Sequence, residues 1–126
     1  MKLVPGADRA QADFLLERSD ALIVESFGVG GVPEEGGFYE CLRHWMAEGR
    51  IVVLTTQVPS EGSDLEVYHV GRGLKNDLGV LEAYDMTTEA VVAKLMWILG
   101  QTREREAVER MFYTPVARDI LWPAEC

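Results

Sequence analysis

The sequence predicts an α/β fold, a three-layer sandwich in which about four strands form a mostly parallel sheet with helices on both faces. Three observations carry this reading. Two six-residue runs, Ala21-Leu22-Ile23-Val24-Glu25-Ser26 and Ile51-Val52-Val53-Leu54-Thr55-Thr56, are continuously apolar and β-branched over most of their length, as strands are when a parallel sheet is covered on both sides. Between them Phe38, Cys41, Leu42, Trp45 and Met46 recur at i, i+3, i+4, i+7 and i+8, the period of an amphipathic helix. Strand-like and helix-like segments then alternate to the end of the chain, the pattern of right-handed crossovers in a Rossmann-like sheet.

Lys2-Leu3-Val4 reads as a short strand stopped by Pro5-Gly6, and Asp8 is placed to cap a helix running to Arg18 with Phe14, Leu15 and Leu16 as its apolar stripe. A chain that begins inside its first strand is expected to have been cut from a longer protein at a domain boundary, so residues 1–126 are read as one domain. Ser19-Asp20 ends the first helix, and the strand Ala21 to Ser26 runs into Phe27-Gly28-Val29-Gly30-Gly31-Val32-Pro33. That glycine-rich loop lies at the carboxyl end of a strand, where open α/β sheets bind ligands. Glu34 to Gly37 is acidic and flexible, and the Phe38 helix closes at Gly49. After the second strand, Gln57 to Gly62 forms another polar loop, expected beside the first.

Tyr68 to Leu78 is a weaker helical stretch holding Gly71 and Gly73, and Val80-Leu81-Glu82-Ala83 can form a short strand. Asp85 stands where an N-cap is expected, before a run from Thr88 to Leu99 that is apolar on nearly all sides and predicts a largely buried helix. A polar helix from Arg103 to Met111 leads to Phe112-Tyr113-Thr114-Pro115 and the tail Ile120-Leu121-Trp122-Pro123.

With 126 residues, 48% of them hydrophobic and 26% charged, the chain can build one core and has no disordered character. Its net charge of −9 disfavours nucleic acid and anionic membrane as partners, because no Lys/Arg cluster offsets the repulsion. Cys41 and Cys126 belong to no CxxC pair or metal-spaced set and read as reduced thiols of a cytoplasmic protein. No apolar run approaches the ~20 residues of a membrane span.

Several constellations have a structural role as their alternative. Gly28-Val29-Gly30-Gly31 resembles the start of a dinucleotide fingerprint, but Pro33 stands at the third glycine position and more loop precedes the next helix, so a tight turn or close-approach surface is preferred. Cys41 and His44 are three apart on one helix without an obvious third metal ligand. His69 suits a surface or capping role. Ser26 is followed by Phe27 rather than the glycine of a nucleophile elbow, so independent nucleophilic catalysis is not expected. Thr55, Thr56 and Gln57 can either hold a small polar ligand or satisfy loop backbone groups. Glu66 is a candidate partner for a ligand ammonium, against the default of a solvated carboxylate.

Taken together, Ile23 to Pro33, Val52 to Gln57, Val67-Tyr68-His69-Val70-Gly71, Tyr84 to Ala90 and Lys94 to Gly100 resemble the C-terminal domain of cytoplasmic, type I bacterial L-asparaginases, in order and over nearly the whole chain. The resemblance implies a two-domain amide hydrolase that converts L-asparagine and water to L-aspartate and ammonia without cofactor or metal. Its threonine nucleophile sits in an N-terminal T-G-G-T-I motif assisted by G-T-D-T, and neither motif occurs here. This chain alone is therefore expected to be inactive. The active site of the family lies between the N-terminal domain of one subunit and the C-terminal domain of its neighbour. The implied partners are thus an N-terminal asparaginase domain and a second copy in a homo-oligomer.

The resemblance assigns Ser26, Phe27, Gly28, Gly30, Gly31 and Glu66 to the substrate-site loop or interface. Gly31 stands where relatives commonly offer an asparagine, and Glu66 aligns loosely with a glutamate near the substrate amine. Two other readings share the fold: a non-catalytic amino-acid-binding or interaction domain, and part of a tRNA amidotransferase asparaginase-like subunit. The isolated domain is expected to self-associate through exposed apolar surface around Tyr113, Leu121 and Trp122.

Some type I members carry an allosteric asparagine site at positions matched here by Glu25, Thr56, Gln57 and Val58. It uses an arginine where this chain has Glu25 and a cysteine where it has Val58, so the charge is reversed and the thiol lost. A full-length protein containing this chain is expected to give a hyperbolic rate curve on asparagine titration; a sigmoidal curve abolished by changes at Glu25 or Val58 would defeat that expectation.

Overall fold

A computed structural model describes residues 1–59, 62–67 and 69–121. Helix α1 (Arg9–Leu16) precedes strand β1 (Ala21–Ser26), then follow α2 (Phe38–Ala47), β2 (Ile51–Thr56), α3 (His69–Gly73), β3 (Leu81–Glu82), α4 (Thr88–Leu99) and α5 (Arg105–Tyr113). A single π-helical turn, Leu74–Leu78, continues α3. The strands form a parallel sheet in the order β1-β2-β3, with Ala21 opposite Ile51 and Ser26 opposite Thr56. A parallel bridge from Lys2 to Glu25 adds the amino-terminal segment along the free edge of β1, so the predicted strand there shrinks to one bridge.

Strand order follows chain order, so every connection moves the same way across the sheet. Connections of one hand must then lie on one face. One core cluster accordingly joins Ala12 and Leu16 of α1, Phe38, Cys41, Leu42 and Met46 of α2, and Leu74 to Leu22, Val24, Val52 and Leu54 of the sheet. The opposite cluster joins Ile51, Val53 and Leu81 to Val91, Leu95 and Ile98 of α4 and to Val108 and Phe112 of α5. This is the three-layer sandwich the sequence predicts. The continuous apolar run of β2 is explained by burial of both its faces, whereas β1 is buried only at Leu22, Val24 and Ser26 and half-buried at Ala21, Ile23 and Glu25.

Three expectations need correcting. Phe14 is 60% exposed, with the Arg18 guanidinium 4.4 Å above its ring, because Ala12 and Leu16 make the buried stripe of α1. The N-cap of α4 is Thr87, whose hydroxyl accepts from the Ala90 amide at 3.2 Å; Asp85 lies too far back and instead accepts from the Leu121 amide at 3.1 Å. Helix α4 buries only Val91, Lys94, Leu95 and Ile98, leaving Val92, Met96 and Trp97 exposed, since the sheet and α5 cover one side only.

Helices α1 and α2 are joined by a polar staple. The Asp13 carboxylate accepts from Trp45 Nε1 at 2.7 Å, from the Cys41 thiol at 3.1 Å and from Arg9 Nε at 3.1 Å, and these donors hold it below the ordinary carboxylate range. Burial and the neighbouring Asp13 push the Cys41 thiol up to about 12. Above pH 9 the unfolded thiol ionises while the folded one keeps its proton, so folding stability falls as pH rises from about 9 towards 12. The slope for one such group is about 1.4 kcal/mol per pH unit. Urea unfolding at pH 8, 9 and 10 is expected to show this loss in the wild type and a shallower loss in Cys41→Ala; equal slopes would show that Cys41 does not carry it.

Candidate functional site

The carboxyl ends of the three strands carry two loops and a short wedge between them. In the first loop the Phe27 and Gly31 backbones exchange two hydrogen bonds, each 2.8 Å, so Gly28-Val29-Gly30 forms a tight tip. Gly30 must be small: a Cβ there would lie 3.1 Å from the Asp64 carbonyl oxygen and 3.1 Å from the Leu65 side chain. From the other side Gly71 of α3 comes so close that a Cβ would be 2.6 Å from the Leu65 carbonyl oxygen. The segment 63–66 is thus wedged between two glycines that admit its backbone.

Every amide of that wedge has a defined acceptor. Ser63 donates to the Tyr84 carbonyl at 2.8 Å, Asp64 to the Val29 carbonyl at 2.6 Å, Leu65 to Glu82 Oε1 at 2.7 Å, and Glu66 to Asp64 Oδ1 at 3.0 Å. Glu82 is fully buried at the end of β3, and Lys75 Nζ balances it 3.0 Å from Oε2. Lys75 also reaches Glu66 Oε1 at 3.4 Å and lies 5.4 Å from the centre of the Tyr84 ring. Partial burial would lower the Lys75 pKa, but the Glu82 carboxylate and Tyr84 hydroxyl outweigh it and raise it above the ordinary lysine range. Tyr84 itself sits at φ 52°, a left-handed conformation uncommon for a non-glycine residue, in the turn that aims its carbonyl at Ser63. The Tyr113 hydroxyl accepts from the Glu82 amide at 2.9 Å, and burial pushes its pKa up to about 12.

Sequence reasoning missed this Lys75–Glu82–Tyr84–Tyr113 cluster. The available signal was one carboxylate inside the apolar run Val80 to Ala83. Tyr113, expected on the exposed apolar surface, is half-buried and hydrogen-bonded here; Leu121 is exposed, and Trp122 lies outside the described residues, as do Ser60, Glu61, Tyr68 and Cys126.

The predicted site residues separate by chemistry. Ser26 is fully buried, and its hydroxyl donates to the Thr55 carbonyl at 2.8 Å. Phe27, Gly28, Gly30 and Gly31 make the loop described above, and Glu66, 53% exposed, stands on the wedge beside it. Thr56 Oγ1 donates to the Gly28 carbonyl and accepts from the Val58 amide, while Gln57 Nε2 donates to the Leu3 and Glu25 carbonyls at 2.6 and 2.9 Å. Both side chains therefore satisfy loop backbone. Glu25, Thr56, Gln57 and Val58 do come together, lining a cavity of about 300 Å³ with Thr88 and Glu89. The Glu25 carboxylate accepts from the Thr88 hydroxyl at 3.1 Å there. His69 lines a different cavity of about 290 Å³ with Glu34, Tyr39 and Asp77, and His44 stacks edge-on against Trp45. Among the described residues no three His, Cys, Asp or Glu side chains are grouped to hold a metal.

Comparison with known proteins matches residues 1–112 to the family model described as the glutaminase/asparaginase C-terminal domain. The L-asparaginase of Thermococcus kodakarensis is 35% identical over 120 residues, 95% of this chain and 36% of the relative. A glutamyl-tRNA(Gln) amidotransferase subunit of Aeropyrum pernix is 36% identical over 121 residues, 95% of this chain and 28% of the relative. Among solved structures, the thermostable L-asparaginase from Thermococcus kodakarensis superimposes with a TM-score of 0.88, and L-asparaginase I from Vibrio cholerae with 0.85 at 30% identity, each covering 95% of this chain and 36% of the other. The chain thus spans about a third of the length of the relatives it matches.

The wedge tests the role of Lys75. Lys75→Met leaves the Glu82 carboxylate buried without its counter-charge and is expected to destabilise the fold by about 3 kcal/mol. Glu82→Gln keeps an oxygen for Leu65 and is expected to cost less. Denaturant titrations of both variants check the order; Glu82→Gln costing more than Lys75→Met would contradict it.

Proposed function

The chain belongs to the glutaminase/asparaginase C-terminal domain family, and from that premise we propose that it is the part of an L-asparaginase-type amide hydrolase that completes the active site without supplying the nucleophile. The carrying observation is the family match across residues 1–112 together with the coverage of only about a third of the asparaginase relatives. The hydrolysis of L-asparagine needs a nucleophile for the amide carbonyl, and the groups at the sheet end do not suit that task. Ser26 is buried with its proton committed to the Thr55 carbonyl, and the Cys41 thiol is buried and held protonated. The threonine that attacks belongs, on this reading, to an N-terminal domain that carries T-G-G-T-I.

What this domain contributes is shape and charge. The Phe27 to Gly31 loop presents its tip at Gly28, and Gly31 adds no side chain where the resemblance implies an asparagine. Glu66, exposed and only loosely paired to Lys75, is suited to receive the ammonium of an amino-acid substrate. In the Glu25 cavity, an amino-acid carboxylate would meet Glu25 and Glu89, which supports the loss of the type I allosteric site. A homo-oligomer, in which this domain faces the N-terminal domain of a neighbouring copy, is part of the same proposal, as is a cytoplasmic location. The free thiol of Cys41 is consistent with that location, and no helix among the described residues is long and apolar enough to cross a membrane.

Membership of a glutamyl-tRNA(Gln) amidotransferase is the second reading, favoured by the 36% identity to the Aeropyrum pernix protein. Ammonia assays separate the cases. The 126-residue chain alone is expected to release no ammonia from L-asparagine, and a longer protein that adds a T-G-G-T-I domain is expected to release it without tRNA or a second polypeptide. Turnover by the short chain would overturn the division of labour; a longer protein that turns over only with tRNA present would favour the amidotransferase reading.

A further inference from the structure

Strand β1 is paired unequally on its two edges. In a parallel ladder the N–H and C=O of one residue point to the same side, and the side alternates from residue to residue. The Asp20 carbonyl accepts from the Ile51 amide and the Ser26 carbonyl from the Gln57 amide, so the even-numbered residues serve β2 and Ala21, Ile23 and Glu25 serve the outer edge. That edge is laddered over only part of its length. Leu3 donates to the Glu25 carbonyl at 3.0 Å, Glu25 to the Met1 carbonyl at 2.9 Å, and the Met1 ammonium to the Ile23 carbonyl at 2.8 Å. Further back, the Ile23 amide and both backbone groups of Ala21 have no partner among the described residues. Beside them lies a cleft of about 570 Å³ lined by Ala21, Ile23, Val92, Met96 and Leu99. The Met1 nitrogen thus stands where a strand amide stands, as a half-buried charged group, and desolvation pulls its pKa below the ordinary range in spite of Glu25.

We propose that the open part of this edge, from Ile23 back to Ala21, seats a further parallel strand formed by an extended apolar segment that runs directly into Met1. The backbone selects a strand, because a row of edge donors and acceptors is matched by another extended chain. The existing ladder selects its direction and register. The Lys2–Glu25 bridge is parallel, so one step back the Ile23 amide meets the carbonyl of the second residue ahead of Met1, and the Ala21 carbonyl accepts from the amide of that same residue. The side chains select its chemistry. The residue immediately ahead of Met1 lies opposite Ile23 and shares its face, towards Val92, Met96 and Leu99. The second residue ahead lies on the other face, where Met1 and Leu3 join the cluster of α1 and α2. Apolar, β-branched residues suit both faces, whereas unpaired polar side chains would be desolvated there. A peptide amide in place of the Met1 ammonium also takes a charge out of a half-buried position. This strand rests on the longer polypeptide proposed above, and it ties the other domain of that polypeptide to the sheet edge.

The test adds Thr-Val-Val-Val ahead of Met1 in the 126-residue chain, with Gly-Ser-Gly-Ser as a control of equal length. Amide hydrogen exchange at Ile23 is expected to slow at least about tenfold with the apolar extension and to keep the rate of the unextended chain with the control. Met96 is exposed, so Met96→Glu is expected to leave the unextended chain folded, with unchanged circular dichroism, and to cancel most of the protection that the valines confer. Equal protection by both extensions, or by neither, overturns the strand. Protection that survives Met96→Glu overturns its placement over α4. Protection of Ile23 in the unextended chain that grows with protein concentration assigns the edge to a second copy and overturns the proposal as well. None of these exchange rates depends on ammonia release, so failure of the strand and failure of the amide-hydrolase reading are told apart.

Discussion

The buried Glu82 carboxylate is the interaction on which the carboxyl end of the sheet depends. One oxygen fixes the Leu65 amide and the other meets Lys75. Through Leu65 the carboxylate sets the wedge 63–66, and through Asp64 the wedge sets the tip of the glycine loop at Val29. Without a strand partner, the wedge has no regular ladder to satisfy its amides, so its conformation has to be specified one donor at a time. That is why a carboxylate lies at the end of a buried strand, and why Gly30 and Gly71 have no Cβ where one would meet the wedge backbone. A buried ion pair is a costly way to hold a loop, because desolvation offsets most of its attraction. Its value here is geometric: it leaves one arrangement for the loop in place of several.

The same pairing of donors with acceptors explains why the strand ends hold so little free chemistry. Ser26, Thr56 and Gln57 look in the sequence like a polar site, yet each is committed to a carbonyl of a neighbouring segment. They let three irregular segments meet at one edge with their backbone groups paired. What stays exposed there is the tip of the loop at Gly28 and the Glu66 carboxylate, while the Gly31 backbone and the Gly30 amide are paired with Phe27. A surface with exposed carboxylates and no activated nucleophile fits the proposal that the groups acting on a substrate come from elsewhere.

Legibility follows how local each signal is. The strands β1 and β2 are readable to the residue because a continuous β-branched run has few alternatives inside an α/β pattern. The α2 face is readable because its period is strong and its polar face is polar. The α4 surface is not: when apolar residues surround a helix, periodicity cannot say which side the sheet takes, and the sequence alone suggests more burial than there is. Asp85 and Thr87 are both good capping residues for α4, and only the chain path shows which one has the Ala90 amide in reach. The Glu82 cluster is invisible in the sequence because its members come from β3, the π-helical turn and α5, and no local pattern links them. The glycine loop stands out as a ligand loop, but its partner, the wedge, gives no signal beyond Gly71.

Helix α4 inverts the usual distribution in a way that constrains its role. On its inner side Lys94 is buried, donating to the Thr114 carbonyl at 2.8 Å and pairing with Asp119 at 2.8 Å, with Phe112 beneath the ammonium. That pair fastens the segment after α5 to α4 and holds the Asp119 carboxylate below its ordinary pKa in spite of its partial burial. On its outer side the same helix offers tryptophan and methionine to water. Its rotation is fixed by Val91, Leu95 and Ile98 against the sheet and by the Lys94 attachments. A helix held in that orientation leaves Met96 and Trp97 exposed as a consequence of how its inner side packs.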